Sequence, residues 1–493
     1  METVLNCEEK RKSFFDRVKG FKDGMERFCS SKSFIFIVAL ITFIFHALAL
    51  DFWGIALYAL SAALFFTVFK DFRPGLTILL SAIFIVSTKN SPGYGTGDNY
   101  YTNPKILYPL IGVVAVAVIA LAVRCVRYRK NFLSGKSYIP LLILALALTL
   151  SGVGRQYYKQ SFFFGLLMGL TYVGIYALLM GTVEKHDELL DYLATLLSAI
   201  CLLIAVQVAF LYFMHLVKGG TFDAGWKGQI IVGWGVSNIV GEMIVFFMPF
   251  VMYKTEHSKK HYTYYNLIGL FAMTMLVFTL NRTGMLFGFP IYAVLWVRLL
   301  IKSRNRGKLF LTALIYFSLG VIFLSALMSL TELSEVFIYF KDMFNEDEGV
   351  SLSARDDLWK QAFAFFKDSP WVGEGFARSF NEQIYSSNRA TMFQTLSHNF
   401  IIQSIGSGGI MGITVMLGFV VYMAMQFFKK YEGKFHFVCF AVLYALISLF
   451  DTTYFITYSV MFLMLITVVQ EKIVADKNKG HKQPKVLVRT DKK

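Results

Sequence analysis

Long apolar runs separated by short polar segments make up most of the chain. As helices, runs of about 15 to 22 residues are long enough to cross a hydrocarbon core of about 30 Å. The pattern predicts an all-α, polytopic membrane protein with about 14 transmembrane helices, within a range of about 12–14. The predicted spans are residues 34–50, 52–69, 75–88, 106–123, 139–153, 162–181, 193–216, 239–253, 266–280, 285–301, 309–330, 400–428, 435–450 and 454–470.

Three of the polar segments on one side of the predicted membrane are longer than ordinary connections. Residues 89–105 are rich in turn-forming Gly, Pro, Asn and Asp, and residues 217–238 contain the aromatic and glycine-rich stretch GWGVSN. Residues 331–398 form the only large loop. Because a structureless connection of that length is uncommon in a compact protein, we expect this loop to have structure and a function.

Part of the large loop has the periodicity of a helix. Leu358, Ala362 and Phe365 recur at intervals of four and three residues, and Ser353 lies three residues before Asp356 as in a capping box. The pattern predicts an amphipathic helix over residues 354–367 that lies on the outer membrane surface.

Lysine and arginine are unevenly distributed, and this predicts the orientation. Most of the 48 basic residues fall in alternate polar segments and in the two tails. Since Lys and Arg near span ends are retained in the cytoplasm, both termini are predicted to be cytoplasmic. The predicted organisation is a basic cytoplasmic segment (1–33), transmembrane helices 1–11 (34–330), a large outer loop (331–398), transmembrane helices 12–14 (399–470) and a basic cytoplasmic tail (471–493).

Composition agrees with a membrane protein and argues against nucleic-acid binding. Hydrophobic residues make up 56% of the chain and charged residues only 16%, so a soluble globule of this length would lack polar surface. The net charge of +16 is concentrated in cytoplasmic loops and tails, where it would face anionic lipid headgroups. We therefore expect the membrane, and no nucleic acid, as the partner of this charge.

Two basic residues at the outer face are candidates for binding an anion. Arg282, in the motif NRTG, lies between two predicted spans at headgroup level. An arginine makes paired hydrogen bonds to phosphate and stays protonated, although a snorkelling side chain that holds a helix end is the alternative. Lys227, in the preceding outer segment, could add a second positive charge or be an ordinary interfacial lysine.

The remaining candidates are one histidine and three polar residues. His398, in SHN where the large loop meets the next span, could remove a proton from a hydroxyl, or only form hydrogen bonds. Asn238 and Glu242 are four residues apart and would share a helical face, and Arg355 of the large loop could line a groove. No metal-ligand spacing and no nucleotide-binding loop occurs, so no metal or other cofactor is predicted.

Taken together, the outer motifs resemble the O-antigen ligase and O-antigen or capsule polymerase superfamily of bacterial membrane glycosyltransferases. The resemblance runs from the middle of the chain to about Gly412, and the first half carries no matching motif. Its pieces are GWGVSN from Gly233 followed by Pro249, NRTG with Arg282, RDDLW from Arg355, DSPWVGEGF from Asp368 and SHNFIIQSIGSGGIMG from Ser397.

The resemblance implies a reaction, partners and a location. Members of this family transfer a glycan from undecaprenyl pyrophosphate to the hydroxyl of an acceptor glycan or lipid, without a metal or a nucleotide sugar, at the outer face of the bacterial inner membrane. Arg282 would bind the pyrophosphate and His398 would orient or deprotonate the acceptor. A flippase and a chain-length regulator are implied as further partners. Family members often carry a second arginine where this chain has Lys227, and they commonly have twelve spans.

Polymerisation of surface polysaccharide is the favoured activity, and three alternatives remain. A ligase would use the same donor and transfer the finished glycan to a lipid or cell-wall acceptor. A lipid-linked oligosaccharide flippase would place charges at mid-span in both halves, whereas the arginines within reach of a cavity cluster here in the second half. A non-catalytic scaffold would use the large loop as a docking surface.

Overall fold

The structure is a computed structural model that describes residues 19–86, 104–128, 132–220, 226–233, 235–303, 305–330, 352–376 and 397–480. These residues are helical apart from turns, connections and one antiparallel pair of two-residue strands, β1 (Ile231–Val232) and β2 (Gly235–Val236). The helices are α1 (Lys19–Cys29), α2 (Lys32–Ala47), α3 (Asp51–Val68), α4 (Arg73–Ser81), α5 (Pro104–Arg127), α6 (Tyr138–Leu150), α7 (Tyr158–Thr182), α8 (Leu189–Val217), α9 (Trp226–Gln229), α10 (Ser237–His257), α11 (Tyr262–Phe278), α12 (Arg282–Lys302), α13 (Arg306–Leu330), α14 (Leu352–Asp368), α15 (Phe400–Phe427), α16 (Lys434–Ser448) and α17 (Thr457–Gly480). The fold is therefore all-α, as the hydropathy pattern predicts.

The chain forms two compact units. Unit 1 consists of Met1–Lys130 and Ala194–Gly349, and unit 2 consists of Asn131–Leu193 and Val350–Lys493. In unit 1, α10 packs against α11 and α12, and α3 packs against α5. In unit 2, α7 packs against α6 and α17, while α15 packs against α6, α14 and α16.

Each predicted span overlaps a helix of the structure. In the described part of the chain, eight helices are long and apolar enough to cross a membrane, and α1 with α2 would make a ninth if this bent pair is one span. Shorter apolar helices cover other predicted spans: Arg73–Ile85, Tyr138–Leu150, Tyr262–Phe278 and Lys434–Ser448. The multi-span membrane architecture is thus supported, while the count of about 14 and the cytoplasmic location of both termini remain predictions.

The helix predicted in the large loop is present as α14, but its apolar stripe has a different partner from the one expected. Leu358 and Ala362 are 7% and 1% exposed, and α14 packs on α15, where Ala362 lies against Gly406. Leu358 and Ala362 are therefore covered by protein and not by lipid, while the location of α14 at the outer membrane surface remains a prediction. The side chain of Ser353, the proposed cap, and most of the large loop lie outside the described residues.

Candidate functional site

The start of α12 presents Arg282 in unit 1. Leu280, which follows α11, has a positive φ of 55°, and Asn281 is the N-cap of α12. The side-chain oxygen of Asn281 accepts a hydrogen bond from the N–H of Gly284 at 2.9 Å. Arg282 is the first residue of the helix, is half-buried and has no hydrogen bond or ion pair with any other residue that the structure describes.

Contacts in unit 1 bring Asn238 and Lys227 to the same end as Arg282. The amide nitrogen of Asn281 donates to the carbonyl of Asn238 at 2.5 Å. Trp226, the neighbour of Lys227, packs edge-on against Tyr212, whose hydroxyl donates to the carbonyl of Phe278 at the end of α11 at 2.8 Å. The short hairpin that contains GWGVSN connects these two anchored positions.

Glu242 lies one turn after Asn238 on α10 but is enclosed by the protein. Its exposed fraction is 0%, whereas Asn238 is half-buried. Gly241, between them, allows α10 to approach Asn281 so closely that a Cβ at this position would be 2.7 Å from the Asn281 Cβ. Glu242 is therefore fully buried, and its role in substrate binding remains a prediction.

In unit 2, the start of α15 presents His398. The residue has a positive φ of 50° and precedes the N-cap Asn399, whose side chain accepts from the N–H groups of Ile401 and Ile402 at 2.9 and 3.1 Å. The Asn399 amide also donates to the carbonyl of Leu449 at 2.8 Å. A left-handed conformation costs a non-glycine residue about 1–2 kcal/mol, so flanking contacts must hold it.

Ser397 supplies those contacts on the other side of His398. Its N–H and its hydroxyl donate to the side-chain oxygen of Gln403 at 2.8 and 3.1 Å. Its carbonyl accepts from the indole of Trp359 on α14 at 3.0 Å. His398 is therefore fixed between two anchored neighbours, while its own side chain remains 37% exposed.

The partner of His398 is a residue that the sequence analysis missed. Nδ1 of His398 lies 3.4 Å from Oδ1 of Asp451, whose side chain is 9% exposed. The distance is that of an ion pair, but the two groups are not aligned as a hydrogen bond. Nδ1 of the ring therefore faces a nearly buried carboxylate. Only the place of Asp451 at the end of the predicted span 435–450 marked it in the sequence.

Arg355 lies near this site on α14. It is half-buried and one turn before Trp359, so both residues are on the same side of the helix. Since Trp359 donates to Ser397, this side of α14 faces the chain next to His398. Arg355 has no ion pair with another described residue.

A break in α15 sets the position of the half-helix that follows His398. At Gly409, φ is 59° and ψ is −151°, and residues 370–375 lie in the break. Gly373 must lack a side chain because a Cβ would lie 2.3 Å from the carbonyl carbon of Ser407. Four backbone hydrogen bonds replace those that the break removes: Ile410 N to Pro370 O (2.8 Å), Met411 N to Trp371 O (3.1 Å), Glu374 N to Gly406 O (3.1 Å) and Gly375 N to Ser407 O (2.9 Å).

An ion pair locks the inserted segment in place. Nη2 of Arg155, in the connection between α6 and α7, lies 2.7 Å from Oε1 of Glu374, whose side chain is 3% exposed. The same guanidinium donates to the carbonyl of Asp368 at the end of α14. The motif DSPWVGEGF thus joins α14, the α6–α7 connection and α15 through its backbone and one buried carboxylate.

Comparison with known proteins supports the resemblance drawn from the motifs. A family model described as O-antigen ligase matches residues 267–417, a region that contains Arg282, Arg355 and His398. This match confirms the resemblance to the O-antigen ligase superfamily. Lys227, Asn238, Glu242 and Asp451 lie outside the matched region. A search of curated proteins finds no match to the chain.

Proposed function

We propose that this protein, whose residues 267–417 match the O-antigen ligase family, is a membrane glycosyltransferase that uses an undecaprenyl-pyrophosphate-linked glycan as donor. The observation that carries the proposal is the His398–Asp451 pair at the start of α15. A histidine that is held by its backbone, faces a buried carboxylate and keeps an exposed edge is suited to proton transfer. A scaffold would not require this arrangement.

His398 acts as the general base in the proposed reaction. The acceptor hydroxyl oxygen forms a bond to the anomeric carbon of the donor glycan, and the bond from that carbon to the pyrophosphate oxygen breaks. The hydroxyl proton passes to Nε2 of His398, because Nδ1 faces Asp451. The electron pair of the broken bond leaves with the lipid pyrophosphate. Asp451 stabilises the imidazolium that forms.

Arg282 binds the leaving pyrophosphate. Its half-buried guanidinium has no carboxylate partner among the described residues, and it lies at the N-terminus of α12, where the helix dipole also favours an anion. Lys227 and Asn238 lie at the same end of unit 1 and supply further polar contacts. This fixed charge stabilises the leaving group, so the proposed reaction requires no metal ion.

The favoured reaction is polymerisation of repeat units of a surface polysaccharide, such as O-antigen or capsule, at the outer face of the bacterial cytoplasmic membrane. A ligase would use the same donor and a different acceptor. Arg355 and Trp359, on the side of α14 that reaches Ser397, would contact the donor or the acceptor. A flippase that delivers the donor and a chain-length regulator are proposed partners.

Complementation tests the proposal in cells. A strain that lacks the gene receives wild type, Arg282→Ala or His398→Ala, at matched membrane abundance. We expect short lipid-linked repeats to accumulate in both mutants and long polymer to be lost, because donor synthesis continues while transfer stops. Gels of surface polysaccharide and of lipid extracts measure both pools.

Matched controls separate a site effect from general damage. Arg306→Ala removes an exposed arginine at the same first position of the next helix, and His261→Ala removes an exposed histidine before α11. Both controls should make normal polymer. Long polymer in the Arg282 and His398 mutants would refute the transferase and favour a flippase or a scaffold.

A further inference from the structure

The first described helix, α1 (Lys19–Cys29), exposes its apolar side, whereas an amphipathic helix on a soluble protein buries that side. Its apolar residues Phe21, Met25 and Phe28 recur at intervals of four and three and are 72%, 39% and 49% exposed. Its polar residues Asp23 and Glu26 are only half-exposed. The apolar stripe therefore points away from the protein, and the acidic side faces it.

A hydrogen bond fixes this orientation. Oε1 of Glu26 accepts from the N–H of Asp71 at 2.7 Å, in the connection between α3 and α4. Asp71 is itself paired with Arg73 at 2.6 Å. Because the polar side of α1 is bound to this connection, α1 cannot rotate its apolar stripe inwards without breaking the contact.

The angle between α1 and α2 limits how far α1 can enter a bilayer. The two helices are inclined by 73°. At 1.5 Å per residue α1 is about 16 Å long, so with this inclination it extends only about 5 Å along the axis of α2. α2 exposes its own apolar residues, including Ile37 (40%), Leu40 (58%) and Ile44 (44%), as a lipid-facing span does. If α2 crosses the membrane, α1 lies nearly in the membrane plane.

The charges on and around α1 favour one kind of surface. Lys19, Lys22 and Arg27 are on the helix itself. The connection to which Glu26 binds adds Lys70, and the end of α5 adds the exposed Arg127, whose guanidinium donates to the carbonyl of Thr67 at 3.1 Å. An apolar stripe flanked by basic residues is the pattern of a helix that lies at the interface of an anionic leaflet.

We propose that α1 is an interfacial helix that inserts Phe21, Met25 and Phe28 into the anionic phospholipid leaflet on the side of the basic loops. It anchors the start of α2 through the Glu26–Asp71 contact. This proposal is independent of the transferase reaction, since it concerns where α1 lies and involves none of the proposed site residues.

Depth measurements on the full-length protein test the proposal. The five cysteines are replaced by alanine, and one new cysteine, from Met25→Cys or Asp23→Cys, carries an environment-sensitive fluorophore in nanodiscs of neutral lipid with or without phosphatidylglycerol. We expect lipids with a quencher near the headgroup to quench the label at position 25 several-fold more than that at position 23. A quencher at the chain end should have little effect at either position.

The opposite results are distinct. Stronger quenching by the chain-end probe would mean that α1 is the first part of a broken span. Equal quenching of both positions by aqueous iodide would mean that the apolar stripe faces water. Loss of quenching by lipid as the number of protein molecules per disc increases would mean that a second copy covers the stripe. Each of these results would overturn the proposal.

A second measurement uses the native cysteines and so does not depend on the altered background. Hydrogen exchange of residues 19–29 is compared in neutral and anionic nanodiscs for wild type and for Phe21→Ser/Met25→Ser/Phe28→Ser. We expect several-fold slower exchange of the wild type in the anionic discs, and no such lipid dependence in the triple variant. Equal exchange of the wild type in both lipids would contradict the electrostatic part of the proposal, and α1 would then not recognise anionic lipid.

Discussion

The starts of α12 and α15 are built in the same way but present different chemistry. Each has a non-glycine residue with positive φ, Leu280 or His398, followed directly by an asparagine N-cap. Each asparagine caps its helix with its oxygen and donates its amide to the carbonyl of another segment, Asn281 to Asn238 and Asn399 to Leu449. The difference is which neighbour of the asparagine carries the reactive group.

That difference in position decides what each group can do. Arg282 follows its cap and lies in the first turn, where the positive end of the helix dipole is unfavourable for a cation unless an anion is bound. His398 precedes its cap and stands outside the helix, with Asp451 on one side and an exposed edge on the other. The first arrangement is suited to binding a charged group, and the second to moving a proton.

Replacing His398 and Arg282 has the largest expected effect. The two substitutions should separate the rate of transfer from donor affinity. For His398→Gln, we expect single-turnover transfer to fall about 10²–10⁴-fold with donor affinity unchanged, because general bases contribute that much. For Arg282→Gln, we expect donor affinity to fall about 10–100-fold, since hydrogen bonds to charged groups contribute about 1.5–3 kcal/mol. Donor binding and transfer are measured separately in nanodiscs. Equal loss of affinity in both variants would break the distinction.

The start of α15 has a further restraint in the ion pair of Arg155 and Glu374. Arg155→Ala removes the guanidinium that faces a nearly buried carboxylate, and we expect a loss of about 3 kcal/mol in stability. Glu374→Gln should cost less, because the Arg155 side chain is 32% exposed and can be solvated. Thermal unfolding in detergent measures both. A larger loss in Glu374→Gln than in Arg155→Ala would contradict this account of the pair.

Asp451 tests whether the His398 site depends on its carboxylate. We expect Asp451→Asn to lower transfer about tenfold or more, since the attraction between two unit charges about 4 Å apart is about 1 kcal/mol in water and about 4 kcal/mol near a protein surface. Donor affinity should not change. Asp357→Asn is the control, because this carboxylate is 77% exposed and is paired only on the surface of α14. Similar losses in the two variants would exclude a specific role for Asp451.

The sequence predicted the helices and the positions of the motifs more fully than it predicted the partners of the reactive residues. Hydropathy located helices because lipid-exposed backbone must be helical, so each long apolar run was assigned to a helix. It placed both motifs at helix starts because NRTG separates two apolar runs and SHN ends the large loop just before the next apolar run. It could not reveal Asp451, which is distant from His398 along the chain.

The break in α15 was hidden for the same reason. Residues 400–428 were predicted as one glycine-rich span, and the structure interrupts it at Gly409. The hydrogen bonds that stabilise the break come from residues 370–375, so no local pattern indicates it. Similarly, the apolar stripe of α14 was assigned to lipid, because periodicity indicates that a face is buried but not by what.

Substitutions of the two asparagine caps, Asn281 and Asn399, have the smallest expected effect on stability. They compare the two helix starts most directly, because the same residue type is replaced in each. Replacing Asn281 or Asn399 by alanine should cost about 1 kcal/mol from the lost cap, and glycine should cost only a few tenths from the cap itself. Aspartate keeps the capping oxygen but loses the amide donor. We therefore expect the Asn399→Asp variant to unfold near the wild-type temperature. It should nevertheless lose the hydrogen bond that joins the start of α15 to the carbonyl of Leu449.

Activity then distinguishes the two helix starts. Because Asp451 lies two residues after Leu449, loosening this tie in Asn399→Asp should slow transfer while donor affinity is kept. Asn281→Asp should instead weaken donor binding, since the tie to Asn238 lies beside Arg282. Titration of a lipid-linked donor and single-turnover assays on both variants give the comparison. If both aspartate variants lose donor affinity, or both lose only the rate of transfer, the two helix starts do not have the separate roles assigned to them.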